Sequence, residues 1–479
     1  MKPRRPKTAY AMQTVVEDLA TRFVYPDLDT RGGAPFFAGG GGMPTVTVAA
    51  FDASELSKSK SDYVCVGESD QQTIRAAYNR IGAPCRINLT EGTFNFGTAT
   101  LFLPAGVQLQ GVGHGTVINT PAGDVAIEFI GDDAMIKDLK MVGASSSAPN
   151  IFVRFNNQNN LADNVGFVDG ATVFDLQLGW TRIIGCNAPT TPVFIDAAAF
   201  GSHFMASGNG LNDDTDVGVG RIRLGASAAD TIIANNIFRG GIEDTTASHS
   251  GVIIANNTWV DVVYISSGHA IIDTNDGDIS YLKVIGNTVS DGGGNSFLRM
   301  GPSIGQVTVL GNTCAAGVDD GILVPSGLGT PGTIISGNSI ICAGVGISSG
   351  GLWEEAHIAD NFIDAGEHGM DLADLSRGHV YGNTIYRPGL NTDDTFDGIR
   401  LSGASGDETY IHGNRLIVFS FGNAPRYGVN VSAATCENNI IVGNDLGDPA
   451  DYGTDALNDA GTGTILTYPN DPTYGDNFT

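Results

Sequence analysis

The chain has 479 residues, a mass of 49.7 kDa and a formal net charge of −27. This charge excludes nucleic acid as a main partner, because phosphate binding needs a basic surface. Only 16% of the residues are charged, 66 are glycine and 42% are hydrophobic, which excludes disorder and indicates short β-strands joined by many turns. No apolar run approaches the ~18 residues that a membrane-spanning helix needs.

Residues 1–68 differ from the rest of the chain. Four of the first seven residues are basic, and no apolar core of the length of a signal peptide follows them. We therefore predict no Sec-type leader, so the protein either acts where it is made or leaves by lysis, assembly or a non-classical route. The segment holds a short amphipathic stretch near 12–24, a glycine run at 39–42 and a predicted strand at 45–51. It is either a solvated tail or an arm that docks on a partner such as a virion component.

A helix is predicted at residues 69–81. Ser69 and Gln72 have the spacing of a capping box. Four apolar residues then fall on one helical stripe, namely Ile74, Ala77, Tyr78 and Ile81. Such a helix would cover the exposed strand edges at the end of a repetitive β-structure.

The segment 87–118 follows, with the sequence INLTEGTFNF, then LFLPAGVQLQGVGHGTVI. A helix, this "pGtY"-like stretch and the "l.lp.gv.l.G.G.gTvi" pattern resemble the start of the pectate-lyase-like β-helix superfamily, as found in phage tail spikes. The resemblance covers about residues 69–450. It implies a right-handed parallel β-helix, a polysaccharide ligand and a side-by-side homotrimer. The catalytic residue sets of pectate lyases, polygalacturonases and alginate epimerases are not matched, so no catalytic role is carried over to a position here.

A repeat independently indicates the same fold. A four-residue motif recurs along the chain: an apolar residue, any residue, a small or polar residue, and then Asn (once Asp). The 12 intervals between successive copies sum to 306 residues, a mean of 25.5. The repeated residues are Asp138, Asn164, Asn187, Asn209, Asn236, Asn257, Asn287, Asn312, Asn338, Asn361, Asn383, Asn414 and Asn444. A second marker, glycine followed by alternating apolar residues, recurs upstream, as at Gly321, Gly346, Gly369, Gly398 and Gly428.

These units are too short for a crossover helix or a propeller blade and lack the leucine pattern of leucine-rich repeats. We therefore predict an all-β, single-stranded right-handed parallel β-helix of about 13 coils, in which the asparagines form a turn ladder. The predicted organisation is an arm (1–68), a capping helix with the first coil (69–120), the β-helix (121–448) and a C-terminal cap or tail (449–479).

Alignment of the coils on the Asn places one group of polar residues together. Outward positions stack as Ser348, Asp371, Arg400 and Asn430, and a turn position stacks as Glu355, Arg377 and Glu408. Paired carboxylates one coil apart would suit glycoside hydrolysis. The candidate catalytic residues are Glu355, Asp371, Glu354, Asp374 and Arg400. The alternative interpretation is a ladder of ion pairs between strands.

Aromatic and arginine side chains next to this group could bind sugar rings and acidic sugars. The candidate substrate-binding residues are Trp353, Arg377, Tyr386, Arg387, Arg426 and Tyr427. The alternative is that the loop aromatics pack onto the β-helix.

A further alignment predicts an outward apolar stripe, which a second subunit or the N-terminal arm would have to cover. Its members would be Phe152, Phe194, Ile272, Leu298 and Leu323. Two acidic runs, 212–216 and 273–278, permit a calcium site but do not match the twelve-residue calcium loop. No other metal site and no cofactor is predicted. Of the six cysteines, only Cys65 and Cys85 flank one helix and could form a bridge.

The resemblance, the missing leader and the distinct N-terminal arm together predict a phage tail spike or tail-tip adhesin that binds a host surface polysaccharide, with or without cleaving it. Its location would be the virion tail, with residues 1–68 as the attachment to a tail component. One alternative is a free polysaccharide lyase or glycoside hydrolase that acts on an acidic glycan. The other is a structural β-helix without catalytic activity.

Overall fold

The computed structural model describes residues 43–467, apart from 146, 148, 198–201, 212–220, 226–228, 245–248, 261, 263–269, 275–278, 302–303, 325–331, 390, 393, 419–422 and 448–451. The chain divides into two units at Pro44. Most of the predicted N-terminal arm, one acidic run (212–216) and part of the other (275–278) lie outside the described residues.

The described part contains very little helix. Helix α1 spans Glu55–Lys60, and helix α2 spans Gln71–Ile81. The predicted helix is thus present, but its predicted capping box is wrong. Ser69 has a left-handed φ of 53° and lies before the N-cap residue Asp70, whose carboxylate instead accepts the backbone N–H groups of Gly67 and Asn95. The apolar stripe of α2 packs on the first coils as expected, with Ile74 and Ala77 fully buried.

The strands form three long sheets in which every named pairing is parallel. Sheet A comprises β1 (Thr45–Ala49), β2 (Tyr63–Val64), β3 (Cys85–Leu89), β4 (Gly92–Asn95), β6 (Val107–Gln110), β7 (Thr116–Thr120), β9 (Met135–Gly143), β11 (Asn160–Val168), β13 (Gly179–Ile184), β15 (Ser202–Ser207), β18 (Ala229–Ala234), β21 (Ser250–Ala255), β24 (Ile279–Ile285), β27 (Ile304–Leu310), β30 (Ile334–Ser336), β34 (His357–Ala359), β38 (His379–Tyr381), β41 (Tyr410–His412), β44 (Ile440–Val442) and β46 (Ile465–Thr467).

Sheet B comprises β5 (Leu101–Leu103), β8 (Val125–Phe129), β10 (Ile151–Phe155), β12 (Thr172–Leu176), β14 (Val193–Ala197), β17 (Arg221–Leu224), β20 (Ile242–Asp244), β23 (Ala270–Thr274), β26 (Ser296–Met300), β29 (Ile322–Val324), β32 (Ile347–Ser349), β36 (Met370–Ala373), β40 (Asp397–Ser402), β43 (Tyr427–Val431) and β45 (Asp455–Asp459). Sheet C comprises β16 (Gly210–Leu211), β19 (Ile237–Phe238), β22 (Thr258–Trp259), β25 (Thr288–Val289), β28 (Thr313–Val318), β31 (Ser339–Cys342), β35 (Phe362–Ala365), β39 (Thr384–Tyr386) and β42 (Arg415–Ile417). A short sheet joins β33 (Trp353–Glu354) to β37 (Leu375–Ser376).

Each coil contributes a strand to successive sheets, and the chain winds through about 13 turns. This confirms the predicted fold class, a single parallel β-helix. The predicted boundaries at residues 68 and 448 do not coincide with the limits of the sheets. Strand β1 pairs with β3, and β45 and β46 pair with β43 and β44.

The repeated asparagines form a buried ladder between sheets A and C. In the coil of Asn312, the side-chain amide donates to Asn338 Oδ1 at 2.9 Å and to the carbonyl of Val284 at 2.9 Å. The Asn312 Oδ1 atom in turn accepts the backbone and side-chain N–H groups of Asn287, each at 2.9 Å. Nine such steps join ten residues, which are Asn209, Asn236, Asn257, Asn287, Asn312, Asn338, Asn361, Asn383, Asn414 and Asn444.

The ladder differs from the prediction in two respects. The left-handed residue is the one before each ladder position, for example Asn235, Asn256 and Asp360, and not the ladder asparagine itself. The first three predicted members, Asp138, Asn164 and Asn187, lie one residue out of register. The backbone N–H of Cys186 donates to Asn209 Oδ1, which shows that a cysteine occupies the ladder position in that coil.

The glycine marker upstream of each Asn has a steric cause. A Cβ atom at Gly369 would lie 2.5 Å from Ile385 Cγ2 and 2.6 Å from the carbonyl oxygen of Gly398 in the next coil. Only glycine therefore lets the backbone of one coil approach the next at the start of a sheet B strand.

The predicted outward apolar stripe is wrong. Phe152, Phe194, Ile272 and Leu298 are fully buried, and only Leu323 is partly exposed. At Ile272 and Leu298 the predicted register is off by one residue, and the outward neighbours are Asp273 and Arg299. All six cysteines are free and buried, so Cys65 and Cys85 are not bridged. No helix within the described ranges is long and apolar enough to cross a membrane.

Candidate functional site

The outer face of sheet B carries the predicted polar column in its C-terminal coils. Ser348 pairs with Asp371, Asp371 with Arg400, and Arg400 with Asn430 on successive strands. Inward neighbours on these strands are buried Ile, Leu, Met and Val residues, which fix the polar residues on the opposite face. The structure thus brings two of the predicted catalytic residues, Asp371 and Arg400, into contact.

The contact between Arg400 and Asp371 is loose. Arg400 Nη1 lies 3.7 Å from Asp371 Oδ2, which is too long for a hydrogen bond, and the two side chains are 34% and 26% exposed. Arg400 Nε is buried without a hydrogen-bond partner. Asp371 Oδ1 accepts a hydrogen bond from the Ser402 hydroxyl at 3.3 Å. The Nη groups of this partly exposed guanidinium therefore remain able to donate hydrogen bonds to an anionic ligand.

A second column lies at the start of the same strands, one residue before the repeated glycine of each coil. The register of the glycines places Asp320, Val345, His368 and Asp397 one above the other on successive coils, as shown by the backbone bonds Gly321 N–H to Val345 O, Gly346 N–H to His368 O and Gly369 N–H to Asp397 O. This column borders the Asp371–Arg400 pair along the sheet. None of its members was among the predicted site residues.

His368 is nearly buried and neutral in this column. Its Nδ1 atom accepts the backbone N–H of Asp397 at 2.9 Å, so the ring proton resides on Nε2. Burial lowers the pKa of His368, and this outweighs the opposite effects of Asp371 and Asp397; Arg400 and Arg426 lower it further. The ring also packs edge-on against Phe396 at 5.2 Å between centroids.

Two carboxyl groups along this column, those of Glu367 and Asp320, have a raised pKa. Burial raises the pKa of Glu367, and the charges of Asp320 and Asp319 raise it further. Burial also raises the pKa of Asp320, although Asp320 Oδ1 accepts the backbone N–H of Val345 at 2.8 Å. Carboxyl groups with a raised pKa beside ionised ones are what an acid–base pair requires.

Arg426, predicted to bind substrate, is instead occupied by the protein. Its Nε and Nη2 atoms donate to Asp397 Oδ1 and Oδ2 at 3.1 and 2.8 Å, and Asn430 Nδ2 donates to the same carboxylate at 2.8 Å. The guanidinium lies over the ring of Tyr427 at 5.2 Å. Arg426 and Tyr427 therefore lie at the edge of the site, but they support the Asp397 carboxylate there.

Glu354, Glu355 and Arg377 form a separate exposed group in the short sheet. Arg377 Nη2 lies 3.4 Å from Glu354 Oε2, and Arg377 Nε lies 3.6 Å from Glu355 Oε1. The backbone N–H of Glu355 donates to the Ser376 carbonyl and that of Arg377 to the Asp407 carbonyl, so Glu355, Arg377 and Glu408 stack in three successive coils as predicted, each with a left-handed φ. Within the part of the chain that the structure describes, no hydrogen bond or ion pair joins this group to Asp371 or Arg400.

Two other residues of the predicted site, Trp353 and Asp374, contribute to the structure of the β-helix. The Trp353 side chain is buried, with 1% relative exposure, so it cannot stack on a sugar, and this prediction is wrong. Asp374 closes a turn, because its Oδ1 atom accepts the backbone N–H groups of Ala404 and Ser405 at 2.5 and 2.8 Å. Asp374 contacts neither Asp371 nor Arg400 by a hydrogen bond among the described residues.

Tyr386 and Arg387 lie on sheet C and at its end, away from the outer face of sheet B. Arg387 Nη2 donates to Asp364 Oδ2 at 2.5 Å, and its guanidinium lies 4.7 Å from the centre of the Tyr386 ring. The Tyr386 ring also packs against Phe362 at 6.0 Å. The structure does not bring these predicted substrate-binding residues together with Arg400.

The outward column of sheet B continues with charged residues in the N-terminal coils, which the sequence alignment missed. Arg154 Nε bonds to Asp175 Oδ2 at 2.6 Å, and Arg223 lies 3.8 Å from Asp196 and 3.4 Å from Glu243. Each of its members is the next-to-last residue of its sheet B strand. Its full members are Glu128, Arg154, Asp175, Asp196, Arg223, Glu243, Asp273 and Arg299.

The face therefore combines two types of arginine. Arg154 and Arg223 each lie between two carboxylates, whereas Arg400 has a single carboxylate at 3.7 Å. Within the described ranges, no group of three or more His, Cys, Asp or Glu side chains could hold a metal ion. The site thus offers a cationic Arg400 for anion binding, the Asp371 carboxylate beside it and a Glu367 carboxyl group with a raised pKa.

No family model and no curated protein matches the sequence. Among solved structures, the chain is similar to the A-module of mannuronan C-5 epimerase AlgE6 from Azotobacter vinelandii, at 14% identity over 85% of this chain and 98% of that chain, with a TM-score of 0.32. It is also similar to tailspike protein 3 of bacteriophage CBA120, at 14% identity over 82% of this chain and 58% of that chain, with a TM-score of 0.38.

A third similar structure is a mannuronic acid-specific polysaccharide family 6 lyase from human gut microbiota, at 10% identity over 78% of this chain and 86% of that chain, with a TM-score of 0.34. At these identities the similarity concerns the fold alone. The protein class that the described structure defines is therefore a parallel β-helix with a charged outer sheet.

Proposed function

We propose that this chain binds an acidic polysaccharide along the outer face of sheet B and hydrolyses it beside Arg400. The observation that carries the proposal is the incomplete pairing of Arg400, whose side chain is 34% exposed and whose guanidinium lies 3.7 Å from its nearest carboxylate, that of Asp371. A planar guanidinium in this state can bind a sugar carboxylate through two hydrogen bonds. The long open face of the sheet suits an extended chain ligand.

In this proposal the sugar carboxylate binds Arg400 and frees Asp371. Glu367, which keeps its proton to higher pH than an ordinary glutamic acid, donates that proton to the glycosidic oxygen as the bond to the anomeric carbon breaks. Asp371 accepts a proton from the water that attacks the anomeric carbon. The water oxygen stays on the new reducing end, and the proton from Glu367 leaves with the released sugar hydroxyl.

The closeness of Asp371 to Arg400 favours a second candidate reaction, β-elimination from a uronate. Arg400 would bind the uronate carboxylate, Asp371 would accept the proton from the sugar carbon next to it, and Glu367 would donate a proton to the leaving oxygen. His368 cannot be the base, because its Nδ1 atom accepts the Asp397 N–H and its Nε2 atom carries the ring proton. Elimination forms an unsaturated sugar, whereas hydrolysis does not, so the product distinguishes the two reactions.

The test is incubation of the full-length chain with a set of polyuronates and with a neutral glucan. The readouts are new reducing ends, the ultraviolet absorbance of unsaturated products and polymer length by size-exclusion chromatography. Arg400→Gln should abolish shortening of the polyuronate. Arg415→Gln should retain it, because Arg415 is an exposed arginine of sheet C whose carboxylate partner lies at a comparable 3.5 Å.

Equal activity of the Arg400→Gln variant and the wild-type chain would contradict the proposal. So would cleavage of the neutral glucan at the same rate as the polyuronate. Binding of polyuronate without any shortening of the polymer would support an adhesin and contradict the proposed hydrolysis.

We further propose that the chain acts as a tail spike of a virion, as a homotrimer attached to a tail component through residues 1–68. The support is the sequence resemblance of residues 87–118 to tail-spike β-helices and the contrast between a basic N-terminal segment and an acidic body. Mass spectrometry of purified virions from the source of the sequence tests this role. Absence of the chain from virions, with secretion into the medium, would favour the free enzyme.

A further inference from the structure

The outer face of sheet A carries a long surface with little charge, which we call the A-face. It consists of two outward columns in register across successive coils. The first column contains Arg182, Met205, Ile232, Ile253, Lys283, Thr308, Ile334, His357, His379, Tyr410, Ile440 and Ile465. The second contains Ile184, Ser207, Ala234, Ala255, Ile285, Leu310, Ser336, Ala359, Tyr381, His412 and Val442.

The N-terminal half of the A-face is an apolar patch. Met205, Ile232, Ile253, Ile285 and Leu310 are all partly exposed although they point away from the core. Outward strand positions in contact with water are normally polar. A contiguous apolar patch of this kind on a soluble protein marks a contact surface.

The C-terminal half of the A-face is aromatic. The rings of His357 and His379 stack in parallel at 5.0 Å, and those of Tyr381 and His412 at 5.2 Å. Tyr410 lies next to His379 and His412, at 6.0 and 4.5 Å between ring centroids. Because each ring covers the face of its neighbour, the array presents ring edges, which suits packing against another side-chain layer better than stacking on a sugar.

The charge of the A-face contrasts with that of the chain. The two columns contain no Asp or Glu, whereas the chain has 52 acidic residues and a net charge of −27. The outward column of sheet B, by comparison, carries six carboxylates between Glu128 and Asp371. Two copies of so acidic a chain repel each other over most of their surface, and the A-face is a surface where they could approach closely.

We infer that the A-face packs against a second copy of this chain. The twelve coils of the first column extend over roughly 50 Å, and the two columns with their side chains are roughly 14 Å wide, which gives about 700 Å². A standard stable interface buries about 800 Å² on each partner. The inference deepens the assembly part of the proposed function by assigning its face, and it does not depend on the glycan site on sheet B.

Light scattering of the full-length chain in solution tests the inference. The wild-type mass should be two or three times 49.7 kDa. The double variant Ile232→Glu/Ile253→Glu places a carboxylate in two adjacent coils of the A-face and should reduce the mass to that of a monomer. Ile237→Glu is the matched control, because Ile237 lies five residues from Ile232, is 44% exposed and points outward from sheet C; it should keep the wild-type mass.

A monomeric wild-type chain at tens of micromolar would overturn the inference, as would an assembly that the double variant preserves. Circular dichroism of the double variant shows whether the β-helix is retained. If the variant unfolds, Tyr381→Lys on the aromatic half of the same face replaces it, with the same expected mass. Polyuronate binding is measured in parallel, so a failure of assembly is distinguished from a failure of the glycan site.

Discussion

Arg426 donates two hydrogen bonds to the fully buried carboxylate of Asp397, from Nε to Oδ1 at 3.1 Å and from Nη2 to Oδ2 at 2.8 Å. Arg400, one strand away on the same sheet, makes only a 3.7 Å contact with Asp371. Arg400 follows the glycine of its coil, Gly398, by two residues, whereas Arg426 precedes the glycine of the next coil, Gly428, by two residues. The difference in pairing separates a structural arginine from one that can bind a ligand.

Arg426→Gln should destabilise the fold by about 1–3 kcal/mol, because the buried Asp397 charge loses its bidentate partner. Arg400→Gln should change the free energy of unfolding by less than about 0.5 kcal/mol, because it removes one long, partly exposed contact. Denaturant unfolding followed by circular dichroism measures both. The assignment of the two arginines would be reversed if Arg400→Gln were the more damaging change.

Cleavage should decline on the alkaline side at a pH above the ordinary glutamic acid pKa of 4.5, because burial and the charges of Asp320 and Asp319 raise the pKa of Glu367. Glu367 can donate a proton only while it is protonated, so activity falls as the pH rises through its pKa. Glu367→Gln should lower kcat about 10²–10⁴-fold and remove this decline. A variant that retains the alkaline decline would show that another group titrates.

Asp320→Asn should stabilise the protein at pH 7 by about 0.5–2 kcal/mol. Burial raises the pKa of Asp320, so the folded state binds a proton more tightly than the unfolded state. That preference stabilises the wild-type fold at low pH and is lost as the pH rises through the raised pKa. Asparagine keeps an acceptor for the Val345 N–H but has no charge to bury.

The stabilisation by Asp320→Asn should therefore vanish as the pH is lowered below 3.8, the ordinary value for Asp. Thermal unfolding of both chains at several pH values measures the difference. A gain that is independent of pH would mean that packing, rather than the carboxylate charge, is responsible.

Asn312→Ala should destabilise the β-helix by about 3 kcal/mol or more. The change leaves the carbonyl of Val284 and the backbone and side-chain N–H groups of Asn287 without their partners inside the core. Asn187→Ala is the control, because Asn187 is exposed and lies outside the ladder. Equal stability of the two variants would show that the ladder contributes little.

Trp353→Phe should leave polyuronate binding unchanged within a factor of two. The Trp353 ring is buried, and its Nε1 atom has no hydrogen-bond partner, so phenylalanine removes an unsatisfied polar group while filling most of the space. Isothermal titration with a soluble polyuronate measures the effect. A large loss of affinity would restore Trp353 as a sugar-stacking residue.

The repeat made the architecture predictable from the sequence. Stacked coils repeat the same environment, so Asn, Gly and Ile recur at equivalent positions and the turn of the β-helix can be counted. The stack of Ser348, Asp371, Arg400 and Asn430 followed from that count and is confirmed. The start of the ladder was predicted wrongly. Asp138, Asn164 and Asn187 match the sequence motif, but each lies one residue away from the buried ladder position of its coil.

The sequence by itself determined the parallel β-helix, its coil length and the column that holds Asp371 and Arg400. The tertiary structure alone decided which face each side chain points to and how completely it is paired. A shift of one residue exchanges core and solvent along a strand, as at Ile272 and Leu298. Hydrogen-bond partners come from neighbouring coils some 20–30 residues away, so no local pattern could show that Asp397 occupies Arg426 while Arg400 remains available.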